Sequence, residues 1–160
     1  MTNLSTISIG VGLGDLRFGA TPDDIEAQLG QPSDRYDRST FGAELRWDYP
    51  DEQIRLYFDT AADALSIVTV TRRDAILYGK YLIGRNPGRV RDRLADQVLG
   101  PREVIAQDPD DPMDYAWLYP NLRLQFEFQQ NQLLGISFAP LNPEGNPLLS
   151  LARGQGSSQT

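Results

Sequence analysis

Trp47-Asp48-Tyr49-Pro50 returns later in the chain as Trp117-Leu118-Tyr119-Pro120, and these carry the only two tryptophans of the 160 residues. Working upstream from each, a second match appears. Phe18-Gly19-Ala20-Thr21-Pro22, Ile25, Leu29-Gly30 and Pro32 parallel Ile83-Gly84-Arg85-Asn86-Pro87, Val90, Leu94 and Gly100-Pro101. Working downstream, Ile54-Arg55-Leu56-Tyr57-Phe58 aligns with Leu122-Arg123-Leu124-Gln125-Phe126 at an offset of 68. Self-similarity of this kind is the mark of a duplicated unit.

The unit has a readable local structure. Thr21 and Asn86 have side-chain oxygens suited to cap a helix start, and Pro22 and Pro87 fit the first helical position, which needs no amide donor. Gly30 and Gly100 fit the turn that ends a helix, and a proline follows each. Helices are predicted over 22–29 and 87–98. Alternating apolar residues then predict strands over 44–49, 53–58 and 65–71, and again over 114–119, 122–128 and 132–138. Short extra strands are expected near 4–9 and 78–83. The expected fold is α+β: two tandem units of a helix and a three-stranded antiparallel meander, with the helices packed on one face. Residues 1–141 then form a single domain, with repeat one about 13–71 and repeat two about 78–138. The Pro-, Gly- and Ser-rich 142–160 reads as a disordered tail.

This pattern resembles the tandem-repeat fold shared by the β-lactamase inhibitor protein and the small lipoproteins of bacterial outer-membrane assembly. The resemblance rests on 18–32, the tryptophan–tyrosine strand and the strand bearing Leu56 and Phe58, and covers most of 13–138. It implies a protein that acts by binding other proteins, such as an inhibitor or immunity-type protein gripping its target with a sheet face. The disulfides of that inhibitor and the lipidated cysteine of the lipoproteins have no counterpart here.

Composition narrows the chemistry. The chain has no cysteine and no histidine, which removes thiolate metal sites, cysteine nucleophiles and the usual triads. No catalytic residue, metal site or cofactor is expected. A net charge of −7 argues against nucleic acid, which needs a basic face. Asp108-Pro109-Asp110-Asp111-Pro112-Met113-Asp114 lacks the glycine turn and closing glutamate of a calcium loop. Gly10-Val11-Gly12-Leu13-Gly14 lacks the GxGxxG spacing. No basic start runs into an apolar stretch, and no run reaches membrane-helix length. The expectation is a cytoplasmic protein with a protein partner and no membrane insertion.

The polar sheet face is the candidate site. Alternation places Glu44, Arg46, Asp48, Arg55 and Tyr57 on it from the first unit, and Asp114, Leu118, Arg123, Gln125 and Glu127 from the second. Arginine and tyrosine combine broad contact area with directional hydrogen bonds. Two flanking loops add Tyr36, beside Arg38, and Asp110 with Asp111. The expected binding set is therefore Arg46, Arg55, Tyr57, Leu118, Arg123, Gln125, Tyr36, Asp110 and Asp111. A pocket of converging Asp, Glu and Arg between the units would instead favour a small-ligand-binding protein or a carboxylate-based enzyme. A large apolar patch would favour self-association as a structural or adaptor module.

Overall fold

A computed structural model describes residues 2–37, 44–59 and 61–141. Arg38, the side chain of Glu44 and the tail expected over 142–160 lie outside the described residues.

Alternating sequences build one large sheet. Its strands are β4 (Asp34–Asp37), β5 (Glu44–Tyr49), β6 (Ile54–Asp59), β7 (Ala64–Val70), β10 (Glu103–Ala106), β11 (Tyr115–Tyr119), β12 (Leu124–Gln129) and β13 (Gln132–Phe138). They lie in the order β10-β11-β12-β13-β7-β6-β5-β4, all antiparallel. The two meanders thus meet at β7 and β13. A smaller sheet comprises β1 (Thr6–Ser8), β2 (Gly12–Leu13), β3 (Leu16–Arg17), β8 (Ile76–Leu77) and β9 (Lys80–Tyr81), with β1 and β8 parallel. Two short helices remain, α1 (Pro22–Leu29) and α2 (Pro87–Arg93). Thr21 caps α1 reciprocally with Asp24, and Asn86 Oδ1 accepts from the Arg89 amide at 2.9 Å.

This corrects the expected architecture. The protein is sheet-dominated, not two helix–three-stranded units with helices as the covering layer. Asp34–Asp37 and Glu103–Ala106, whose polar or exposed sequences carry no alternation signal, are the edge strands. The cover of the apolar face is the small sheet together with the two helices: Leu13, Leu16, Leu77, Leu82, Ile25 and Val90 all pack into the core that holds Trp47, Phe58, Trp117, Phe126 and Phe138. The second helix ends at Arg93, well before Gly100.

The register is symmetric about the β7–β13 pair. One apolar row runs Arg35–Trp47–Leu56–Val68–Phe138–Leu124–Tyr119. Its counterpart runs Val104–Trp117–Phe126–Ile136–Val70–Ile54–Tyr49. Ile54 is therefore equivalent to Leu124, not to Leu122. The alignment of 54–58 with 122–126 is two residues out of step. Leu122-Arg123-Leu124 mimics the apolar–Arg–apolar pattern, but Pro120–Leu122 is a 3-10 turn and Arg123 is left-handed (φ 51°), as is Gln53 (φ 58°) before β6. The two strands share a bulge at matching places, after Tyr57 and after Glu127.

Candidate functional site

The same symmetry organises the other face. Its central row runs Glu103–Leu118–Gln125–Ser137–Thr69–Arg55–Asp48–Asp34, one residue from each strand. The Thr69 and Ser137 hydroxyls meet at the middle, 2.7 Å apart. On one side of this row lie Tyr36, Arg46, Tyr57, Ile67 and Ala139. On the other lie Ala116, Glu127, Gly135 and Thr71. Symmetry makes Tyr57 equivalent to Glu127 and Ile67 to Gly135.

Those substitutions give the two ends opposite characters. Tyr57, Ile67, Leu118 and Ala139 form a second buried apolar cluster, with Ile105 against it. The other end is open. There Asp48, Ile54, Arg55, Thr69, Thr71, Glu127 and Leu134 line a cavity of about 450 Å³. Next to Leu134, Gly135 brings β13 close to β7: a β-carbon there would stand 3.1 Å from Thr71 Cγ2 and 3.2 Å from the Val70 carbonyl oxygen. Asp48 and Glu127 come from strands separated by three others, so the face is concave. The cavity continues past Gln53, Thr71 and Leu134 into a second of about 360 Å³, which adds Arg73, Ile83, Gly84, Gln130 and Gln132. A third, of about 530 Å³, shares Arg73, Ile83 and Gly84 and reaches Asp74, Tyr81 and Arg85. Together they make one groove across the seam.

The expected binding residues divide accordingly. Tyr57, Leu118, Arg123 and Gln125 were expected on an open face and are instead buried, at 5%, 0%, 6% and 6% exposure. Alternation assigns a side chain to a face but does not say what covers that face. Arg123 belongs to the turn before β12. Arg46, Asp48 and Arg55 form a connected ionic cluster. Asp48 accepts from Arg46 Nε and Nη2 at 3.0 Å each and from Arg55 Nε at 3.2 Å. Arg46 also stacks on the exposed Tyr36 ring at 4.1 Å. Burial pulls the Arg55 pKa down, but Tyr57 and Asp48 outweigh it and hold it above the usual value. Asp110 is exposed in the β10–β11 loop, and Asp111 Oδ1 accepts from the Met113 amide at 2.9 Å. That loop and Tyr36 sit at opposite edges of the sheet.

Glu127 is the group that sequence reasoning placed on the face without singling out. Burial pushes its carboxyl above the usual carboxylate range, Asp114 adds to the effect, and Arg55 opposes it. A raised folded pKa makes the ionised form unfavourable in the fold, so stability is lost as pH rises through that pKa. Glu127→Gln is therefore expected to raise the urea midpoint at pH 7. The gain should vanish near pH 3.5, where the wild-type carboxyl is neutral in both states. Pairing Tyr57 with Glu127 and Ile67 with Gly135 is the signal that would have located the groove, and the two-residue misalignment hid it.

Among the described residues, no group of three His, Cys, Asp or Glu could hold a metal, and no helix is long and apolar enough to cross a membrane.

The fold and groove define a curved antiparallel-sheet protein with one open concave end. No protein-family model matches the chain, and no curated protein matches it. Solved structures do. One is an extracellular protein containing a SCP domain from Bacillus anthracis, at 10% identity and a TM-score of 0.50, over 85% of this chain and 46% of that one. Another is a cysteine-rich secretory protein from Staphylococcus aureus, at 14% identity and a TM-score of 0.42, over 76% of this chain and 42% of that one. This chain spans less than half the length of either. The first likeness shows a shared fold. The expected resemblance to the β-lactamase inhibitor group is corrected by that first match and by the sheet-dominated fold, and the inhibitor- or immunity-type role inferred from it goes with it. The first neighbour is described as extracellular, which conflicts with the cytoplasmic location expected from the sequence, and that expectation is not kept.

Proposed function

We propose that this chain is a non-catalytic binding module that holds an extended segment of a partner protein in the groove across the β7–β13 seam. The observation that carries the reading is the run of three neighbouring cavities that share lining residues, Gln53, Thr71 and Leu134 between the first two and Arg73, Ile83 and Gly84 between the last two. Its chemistry suits a polypeptide. Gln53, Gln130, Gln132 and Thr71 offer donors and acceptors for a backbone, and Leu134 and Ile83 offer apolar wall. Extended segments are held by this mix of main-chain hydrogen bonds and side-chain pockets.

The test is selection of a displayed random-peptide library on the wild type and on Leu134→Arg. Leu134 is 43% exposed, so the variant should fold and lay a long side chain across the trough. Peptides enriched on the wild type and lost on the variant are expected. No enrichment, or the same peptides on both, would refute the reading. One observation favours a small-ligand site instead: Asp48, Arg55 and the perturbed Glu127 line one cavity. A small polar compound that raises Tm in a thermal-shift screen, where no peptide is enriched, would decide for it.

A further inference from the structure

The basic residues of this acidic protein cluster in one stretch of its sequence. From Arg72 to Arg93 the chain carries seven basic and two acidic side chains, against a net charge of −7 for the whole. The strands and turns of this stretch bring two of the arginines, Arg73 and Arg85, to the cavity that also holds Tyr81, Gly84 and Asp74, whose carboxylate is taken up by Arg72.

Their surroundings differ from those of the other arginines along the groove. Arg72 is held by Asp74 at 2.8 and 2.9 Å, and Arg55 by Asp48 at 3.2 Å. Arg85 Nε donates to the Tyr81 carbonyl at 2.9 Å, an uncharged acceptor. Among the described residues, no carboxylate pairs with Arg73 or Arg85. The Arg73 guanidinium lies across Gly84, where a β-carbon would stand 2.9 Å from Cζ. Gly84 has φ +92°, a backbone conformation that side chains other than glycine resist. A glycine at this place thus lets the guanidinium come close to the backbone, and a guanidinium can take a carboxylate through two parallel hydrogen bonds. At the far end of the trough the wall carries Asp48 and Glu127, with Arg55 bound to Asp48.

We infer that Arg73 and Arg85, set over Gly84 at the basic end of the groove, form a carboxylate-recognition site that selects partner segments carrying acidic side chains. This rests on the groove reading and adds polarity to it: the acidic part of the segment lies at Arg73 and Arg85, away from Asp48 and Glu127. The acidic balance of the remaining surface opposes polyanions that would spread over it, whereas a short peptide meets only the basic end.

The experiment is fluorescence anisotropy with a dye-labelled octapeptide of alternating glutamate and valine and its glutamine–valine counterpart. Each is titrated with wild type, Arg73→Gln/Arg85→Gln and Leu134→Arg. Both arginines are at the surface, and circular dichroism and urea midpoints check that the variants are folded. The expected result is saturable binding of the glutamate peptide by the wild type. Binding should weaken about ten-fold or more for the double variant and for the glutamine peptide, consistent with loss of charge-assisted hydrogen bonds, and should weaken with salt. If both peptides bind equally well and only Leu134→Arg loses them, the carboxylate site falls and the groove reading stands. If the glutamate peptide binds all three proteins alike, both fall. A wild type that binds neither peptide, or that prefers a linear polyphosphate of matching charge, also overturns the carboxylate site.

Discussion

Leu118→Asp is expected to destabilise the protein by about 3–5 kcal/mol, the scale for a buried charge left without a partner. The position is fully buried in the cluster with Tyr57, Ile67 and Ala139. Its symmetry equivalent is Asp48, which shows what an aspartate needs here. Asp48 survives because Arg46 and Arg55 both donate to it. Around Leu118 the equivalent places hold Ala116 and Gln125, which bring no positive charge. Urea denaturation at pH 7 measures the loss. A change under about 0.5 kcal/mol, typical of exposed sites, would mean that the face is open there, as alternation alone implied.

Phe138→Ala is expected to cost a similar amount, about 3–5 kcal/mol, for a different reason. Phe138 is fully buried on the apolar face at the join of the two meanders, paired with Val68 across the seam and with Leu124 on its other side. It also packs edge-on against Phe18, with ring centroids 5.6 Å apart, which ties the sheet to the segment leading into α1. Removing the ring leaves a cavity where three parts of the core meet, and little can relax into it. Val98→Ala, at a residue 95% exposed, should leave the urea midpoint unchanged.

How far the sequence was legible follows from what each signal measures. Alternation located six of the eight strands of the large sheet, because a half-buried strand shows its face in its pattern. It missed Asp34–Asp37 and Glu103–Ala106, because edge strands owe their place to pairing. Arg35 over Trp47 at 4.5 Å and Arg102 over Trp117 at 4.2 Å hold these edges through contacts that no local pattern reveals. The capping residues Thr21 and Asn86 were legible, being local chemistry. The covering layer was legible only in part: β1 and β9 fall within the short strands expected near 4–9 and 78–83, but the parallel pairing of β1 with β8 joins distant parts of the chain and leaves no local pattern.

At the candidate site, Arg46, Arg55 and Tyr36 were legible as a polar cluster. The open groove was not. Its wall carries Glu127 where the other meander has the buried Tyr57, and beside it Gly135 stands where the other has Ile67. Both are visible only in the correct register, fixed by two left-handed residues, Gln53 and Arg123, that sequence pattern does not mark.

The central claim is that one end of the concave face is covered and the equivalent end is open. The absence of native cysteine makes a direct measurement possible. Thr71→Cys and Ala139→Cys place a thiol at each end, and the rate of maleimide labelling is compared under native conditions. Thr71→Cys should label nearly as fast as a free thiol, and Ala139→Cys on the order of 100-fold more slowly, limited by local opening. Equal rates in two folded variants would contradict the account.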